Sequence, residues 1–322
     1  MKVDVITFGS ITVDTFLSSA EFKLVQDKNG TSICERFGAK VEIDKKVICG
    51  GGGGGNTAVG LSRLGLSTAV VAKMGDDFFS ETILAELREN KVNIDNLVQE
   101  NGETDSAVTL VSKGGGRTIL IYRGKTRLEW KDIDETSLSS QWFHVASLEG
   151  NLGLAKNLFA LAGKNDTKIC WNPGKTELKN RAEIKALLAN VEILVLNQQE
   201  AEELLAEEMT GDSFWEKVMD LPVKMFFITQ GSKGAFLVIP DQKQKYFSPA
   251  FSTTSVEDTG AGDGFCSGVV AARFYQKTPK QALLWGLANG AGAVSHFGAK
   301  AGLMTRLELE KFLIEKSLSN KV

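Results

Sequence analysis

Between residues 142 and 229 the chain alternates short apolar runs with longer amphipathic ones, and this alternation restricts the fold more than any single motif. Trp142–Ser147, Lys168–Asn172, Glu192–Leu196 and Val223–Thr229 read as buried strands, with helices at Leu152–Ala162, Ile184–Ala189 and Gln198–Glu207 between them. The N-terminal part repeats the pattern, with strands at Val3–Gly9 and Thr68–Lys73 and helices at Asn56–Leu64 and Ser80–Asn90. Apolar runs this short suit strands buried on both faces, and helical crossovers between them make neighbouring strands parallel. The expected class is α/β, with a mostly parallel central sheet and helices on both faces.

The alternation pauses twice. Ser106–Ser112 and Arg117–Tyr122 are strand-like and joined by Lys113-Gly114-Gly115-Gly116, a hairpin signal with Gly114–Gly116 as an exposed tip. Residues 14–48 hold strand-like pieces at Thr31–Glu35 and Lys40–Ile43 but no convincing helix. Segments 14–48 and 106–123 are therefore expected to form a small β lid over a site, within one domain spanning 1–322.

Composition narrows the function classes. A net charge of −3 gives no electrostatic reason to expect nucleic acid or an anionic membrane as partner. No run of eighteen apolar residues is present, and the N-terminus enters a strand without a signal-peptide pattern, so a cytoplasmic location is expected. The four cysteines are scattered without a C-x-x-C pair and there are two histidines, which disfavours zinc and a disulfide framework; buried free thiols are the expectation.

Glu257-Asp258-Thr259-Gly260-Ala261-Gly262-Asp263-Gly264-Phe265 carries the strongest chemical signal. Cys266, Val269, Val270 and Phe274 follow at helical spacing. A glycine loop that opens a helix leaves backbone N–H groups unpaired at the positive end of the helix dipole, which makes an anion site. The natural role for Asp263 inside such a site is to take the proton of a hydroxyl that attacks a phosphate held by the amides of Gly260, Ala261, Gly262 and Asp263 itself. The plainer alternative is an acid in a first helical turn, where acids are welcome.

Other glycine patterns are weaker alone. The Gly50–Gly55 run precedes a helix and reads as a binding loop rather than a linker. Gly50, Gly52 and Gly55 formally satisfy G-x-G-x-x-G with Asp76 beyond, but six successive glycines satisfy almost any glycine pattern. No G-x-x-x-x-G-K-[ST] loop is present, since Gly124-Lys125-Thr126 and Gly174-Lys175-Thr176 lack the first glycine. Thr229-Gln230-Gly231-Ser232-Lys233-Gly234, Asn197-Gln198-Gln199-Glu200 and Asn172-Pro173-Gly174 read singly as a hairpin turn, an N-cap and a turn. All three stand at the C-terminal ends of strands, the edge that carries the ligand crevice in open parallel sheets.

Taken in order, these segments resemble the ribokinase-like, PfkB-type carbohydrate kinases from Phe8 to about Thr305. Val256–Phe265 is similar to that family's D-T-x-G-A-G-D signature, Gly51–Gly65 to its N-terminal glycine signature, and Gly9–Asp14 to its first-strand motif. Asn197 and Glu200 match its N-x-x-E motif, and Thr229, Gly231 and Gly234 its T-x-G-x-x-G loop. The resemblance implies a ribokinase-like three-layer sandwich with a β lid, and an ATP-dependent kinase acting on a hydroxyl of a sugar or sugar-like acceptor. It implies Asp14, Gly51, Gly52, Asn56 and Glu149 as acceptor contacts. Asn197, Thr229, Gly231, Gly234 and the region of Asn289 would face the nucleotide, and Glu200 would hold Mg2+ through water. Arg123, after the second hairpin strand, is added as a lid-borne contact to the acceptor or its phosphate, against the alternative of a solvated arginine. Lid strands in such proteins can pair between subunits, so a homodimer is weighed.

The chain departs from the family in three places. Glu257, followed by Asp258, stands where the family's acid often helps bind a monovalent cation, so K+ is a weaker expectation than ATP and Mg2+. Gly51–Gly54 lacks the lysine of the Gly-Gly-Lys-Gly often found in ribokinases, which argues against ribose itself. Gly174 follows Asn-Pro where typical members have an apolar residue or arginine. The alternatives are a nucleoside kinase of the same fold, drawing on Phe16 or Phe37 to stack the base, a non-catalytic ligand-binding relative and, more remotely, a dinucleotide-binding oxidoreductase.

Overall fold

The computed structural model describes residues 2–28, 30–112, 116–254 and 256–319. Its main sheet has nine strands. Six adjoining strands, β1 (Val3–Phe8), β6 (Thr68–Gly75), β10 (Ser140–Val145), β11 (Lys168–Trp171), β12 (Ile193–Asn197) and β13 (Met225–Thr229), pair in parallel, with β7 (Leu97–Glu100) parallel at one edge. The other edge turns antiparallel through β14 (Ala235–Ile239) and β15 (Gln244–Ser248). The order is β15-β14-β13-β12-β11-β10-β1-β6-β7.

Helices bury both faces because successive strand residues point to opposite sides. One face carries Phe8, Phe143, Trp171 and Phe226 against α3 (Leu152–Lys164), α4 (Lys175–Leu178), α5 (Arg181–Leu187), α6 (Gln198–Leu205) and α7 (Asp212–Met219). The other packs Val5, Trp142, Cys170 and Phe227 against α1 (Gly53–Arg63), α8 (Ala261–Phe274) and α9 (Pro279–Val294). The inner faces of α1 and α2 (Phe78–Glu89) close the β6 side, and α10 (Arg306–Ser319) runs beside α9. The expected class is what forms.

A second sheet of four strands has the order β5-β2-β8-β9, from β2 (Thr12–Ser18), β5 (Lys45–Gly51), β8 (Ser106–Val111) and β9 (Arg117–Tyr122). A separate hairpin joins β3 (Leu24–Asp27) to β4 (Gly30–Ile33). Two strand boundaries differ from the sequence expectation. Lys40–Ile43 is irregular, and the strand instead occupies Lys45–Gly51, running into the glycine run. The strand Thr12–Ser18 was not anticipated, because Gly9-Ser10 reads as the end of an element and hides the strand that restarts at once. Helix α1 begins at Gly53, three residues before Asn56, so Gly50 and Gly51 end β5, Gly52 is the N-cap and Gly53–Gly55 lie in the first helical turn. Of the expected hairpin tip, Gly114 and Gly115 lie outside the described residues. Cys170 and Cys266 are buried thiols as expected, whereas Cys34 is exposed and Cys49 half-buried.

Candidate active site

Strand order fixes where a site can form. From β1 the chain moves to β6 on one side, while β10 lies on the other side of β1, so connections diverge between β1 and β10. Such a switch point opens a crevice at the carboxyl ends of its two strands. Gly9–Ile11 leaves β1 there, Ala146–Glu149 leaves β10, and a cavity of about 380 Å³ lies between them, lined also by Lys73, Asp105, Arg127 and Asn151.

Beside this crevice the N-termini of α1 and α8 meet. Asp263, in the first turn of α8, accepts from Asn56 Nδ2 of α1 at 2.8 Å. Burial pushes the Asp263 carboxyl above its ordinary value, against the opposing pull of the Asn56 hydrogen bond and the charge of Lys300. Asn56 Oδ1 is buried and has no partner among the described residues, so the pair keeps an unused acceptor. Gly260 caps α8 in the left-handed region at φ 81, and a Cβ there would fall 2.3 Å from the Ala299 carbonyl oxygen. Gly262 lies within the helix, and a Cβ on it would meet nothing within 4 Å. Of the four amides expected to face an anion, Ala261 N–H is already engaged, donating to Asp258 O at 3.3 Å. Gly262 and Asp263 hold first-turn positions, where a helix offers no acceptor of its own.

Of the expected acceptor residues, Asp14, Gly51 and Asn56 lie close to the same point. Asp14, on β2, is buried and accepts from Thr12 Oγ1 at 2.8 Å; burial raises its pKa. A Cβ on Gly51 would fall 2.1 Å from Asp14 Oδ2, and one on Gly53 would approach Asp263 Oδ1 to 3.5 Å. Gly52 takes φ 83, and a Cβ there would fall 2.4 Å from Ser10 O, so both the backbone and the close approach require glycine. The glycines therefore let two carboxylates stand against bare backbone. Glu149 also holds the left-handed region, at φ 58, a cost for a non-glycine residue that often accompanies function. Its carboxylate accepts from Arg123 and from Arg127 Nε at 2.8 Å, and the same arginines reach the buried Asp105 at 2.9 and 3.3 Å. Burial pushes the Glu149 carboxyl up, against the pull of Arg123 and Arg127. The structure thus places Arg123 in a four-membered charge cluster at the base of the small sheet. Gly174 meets Ser147 so closely that a Cβ would lie 2.4 Å from its hydroxyl, and Ser147 donates to Glu177, which steadies the 147–149 turn.

Sequence reasoning missed Asp105, Arg127 and Lys300. Lys300 is buried, donates to Gly50 O at 2.5 Å and pairs with Glu86 at 3.2 Å, while Glu86 accepts from Gly50 N–H at 2.7 Å. Both polar groups of Gly50 are thereby pinned, and the Lys300 charge favours the ionised forms of Asp14 and Asp263. No spacing rule links positions 50, 86 and 300.

At the end of β12, Asn197 and Glu200 form a reciprocal capping box on α6, with both bonds at 2.9 Å. Burial raises the pKa of Glu200, and Lys175 opposes it. Thr229 ends β13, and Gly231 and Gly234 form the tight turn to β14 at φ 55 and 128. Asn289, expected near the nucleotide, is fully buried, donates to Gly264 O and Ser267 Oγ at 3.0 Å and accepts from Met304 N–H at 3.0 Å, so it staples α8 to α9. Phe16 is buried edge-on against Phe297 and Phe37 is fully exposed, so neither is placed to stack a base here.

Mg2+ is the ion expected beside the nucleotide, with K+ a weaker expectation. Among the described residues no cluster of three or more His, Cys, Asp or Glu forms. The lone carboxylate of Glu200 with the Asn197 amide suits Mg2+, which keeps much of its water and is held largely by substrate phosphates. Among the described residues, the buried oxygens Glu257 Oε2 and Thr259 Oγ1 have no hydrogen-bond partner, a donor set that suits a hard monovalent cation.

The family described as pfkB family carbohydrate kinase matches residues 18–306. An ATP-dependent 6-phosphofructokinase of Thermoanaerobacterium thermosaccharolyticum is 25% identical over 311 residues, covering 92% of this chain and 90% of its own. The structure of an Arabidopsis thaliana ribokinase complexed with ribose and ATP superposes with a TM-score of 0.78 at 20% identity, covering 97% of this chain and 99% of its own. An adenosine kinase from Sinorhizobium meliloti gives 0.80 at 19% identity, with 97% and 100% covered. At these identities the two structural likenesses establish a ribokinase-like fold.

Proposed function

The chain belongs to the pfkB family of carbohydrate kinases, and from that premise we propose that it transfers the γ-phosphoryl group of ATP to a hydroxyl of a small polyhydroxylated acceptor. The observation that carries this is the convergence of Asp263, Asn56, Asp14 and the bare backbone of Gly51–Gly53 at one point beside the switch-point crevice. Asp14 accepts two acceptor hydroxyls, and Glu149 and Arg123 bound the acceptor from the crevice side. Asp263 aligns the attacking hydroxyl and takes its proton, while Gly262 and Asp263 N–H groups meet the charge that spreads over the transferring group. Phosphoryl transfer needs chiefly positioning and charge stabilisation, which this arrangement supplies without a strongly basic side chain. Mg2+ would be held through water near Asn197 and Glu200, and supplies charge neutralisation on the phosphates. The adenosine half lies along the Thr229–Gly234 turn.

The small sheet acts as the lid, and water exclusion beneath it limits wasteful hydrolysis of ATP. Its outer strand β9 leaves Leu120 and Ile121 more than half exposed along an open edge, which supports pairing of two copies. Sedimentation equilibrium that returns only a 34.9 kDa species at micromolar chain would remove that pairing.

Positions 260 and 262 separate fold from function. Gly260→Ala strains a left-handed residue against the Ala299 carbonyl and is expected to destabilise by about 1–3 kcal/mol, read as a lower denaturant midpoint. Gly262→Val enters open space, so the midpoint is expected to hold while ADP formation drops about tenfold or more, because the side chain displaces the phosphate. Full turnover by a folded Gly262→Val protein would move the phosphate elsewhere.

The functional test is ADP formation across pentoses, hexoses, sugar acids, sugar phosphates and nucleosides. Acceleration by a sugar-class acceptor is expected. The burial of Phe16 and the outward position of Phe37 weigh against nucleosides, and acceleration by nucleosides alone would favour that second reading.

A further inference from the structure

Arg117 opens β9, the outer strand of the small sheet, yet its guanidinium serves the main domain. Nε lies 3.5 Å from Glu257 Oε1 and a terminal nitrogen lies 3.4 Å from Asp258 Oδ2. These two acids belong to the loop that enters α8. Glu257 has no exposed surface, and its Oε1 accepts Thr259 N–H at 2.6 Å. Thr259 adjoins Gly260, the left-handed cap of α8, and Ala261 N–H closes the turn on Asp258 O. The backbone that presents Gly262 and Asp263 is therefore held, within a few residues, by one buried carboxylate.

That carboxylate has two opposed effects. Ionised, it fixes Thr259. Its negative charge also lies close to amides that are to receive an anion, and in a poorly solvated position such a charge is weakly screened. A buried acid without a compensating cation is also driven toward its neutral form, in which it holds an N–H less firmly. A positive group beside Glu257 resolves both conflicts, and the guanidinium arrives from a different sheet.

We propose that Arg117 is a positioning residue: seated on Glu257 and Asp258, it supplies from the lid the positive charge that makes the 258–263 loop competent to bind phosphate. This rests on the kinase reading above. Lid closure and nucleotide binding then share one contact, so each favours the other. Among the described residues, Glu257 Oε2 and Thr259 Oγ1 have no hydrogen-bond partner. A small monovalent cation can occupy those oxygens and stand in for Arg117 when it is removed.

The test uses the full chain and two readouts. Isothermal titration gives the Kd for ADP with Mg2+, and hydrogen exchange follows residues 257–264 without ligand. Each is measured at one ionic strength in tetramethylammonium chloride and in potassium chloride, for wild type, Arg117→Ala and Arg117→Lys. Wild type is expected to bind ADP within about twofold in the two salts, while Arg117→Ala binds about tenfold more weakly in tetramethylammonium, the scale of one charge-assisted contact. Potassium is expected to restore most of that loss and to slow exchange at 259–263 in the alanine variant, with Arg117→Lys falling between. An alanine variant that matches wild type in both readouts overturns the proposal. So does a loss that potassium does not restore, or a wild type as potassium-dependent as the variant. Failure of wild type to bind ADP at all would sink the kinase reading, and the exchange comparison would still decide whether Arg117 holds the loop.

Discussion

Asp263→Asn is expected to lower kcat for ADP formation about 10²–10⁴-fold, the usual contribution of a positioned general base, with acceptor binding changed at most a few-fold. The amide keeps the size and the helical position, and its oxygen can still accept from Asn56. What disappears is the capacity to take a proton. The pH dependence follows from the environment of the carboxylate. Burial raises its pKa and the Asn56 hydrogen bond lowers it. In the proposed role the ionised form is the active one, so turnover should fall as pH drops through that raised value, and the acid limb should lie above the range of a free aspartate. Asn56→Ala removes the donor that favours the ionised form, so its acid limb should move to higher pH. A limb that moves lower, or wild-type turnover in Asp263→Asn, would take Asp263 out of the proton transfer.

Asp14→Ala should raise the acceptor KM by about 10²–10⁴-fold and leave the ATP KM nearly unchanged. Two hydroxyl-to-carboxylate hydrogen bonds are lost, each worth about 1.5–3 kcal/mol. Without acceptor, Asp14 has Thr12 Oγ1 as its hydrogen-bond donor and the more distant charge of Lys300, and burial already disfavours its ionised form. Hydroxyl donors would complete its shell. Gly51→Ala makes an independent probe, since its Cβ would overlap Asp14 Oδ2 and push the carboxylate aside. It should reproduce the acceptor effect while Asp14 itself remains. Equal changes in both KM values for the two variants would make Asp14 a structural residue.

Much of this arrangement was legible in the sequence because it is written in local patterns. Parallel strands buried on both faces appear as short apolar runs, and each glycine-to-helix junction is continuous in the chain. Asn197 and Glu200 were recognisable as a capping box because its members are three residues apart. What escaped was long-range. The clamp on Gly50 joins positions 86 and 300, and the cluster on Glu149 joins 105, 123 and 127, through contacts that only the folded chain brings together. The helix-to-helix bond of Asn289 escaped for a related reason: a polar residue inside an apolar helix can turn to a ligand or to a neighbouring helix with the same sequence signal, and here its amide reaches the carbonyl of Gly264. The strain also shifted. Glycines at 260 and 262 look alike in the sequence, but only Gly260 adopts the left-handed backbone, because it turns the chain into α8 against Ala299.

Product analysis with ATP labelled in the γ-phosphoryl group tests the central claim most directly. With wild type, Mg2+ and a sugar-class acceptor that accelerates ADP formation, the label should appear in an acid-stable phosphate ester in one-to-one ratio with ADP, and Asp263→Asn should form that ester slower by about 10²-fold or more. Label recovered only as inorganic phosphate, or ester formed equally well by the Asp263 variant, would contradict the account.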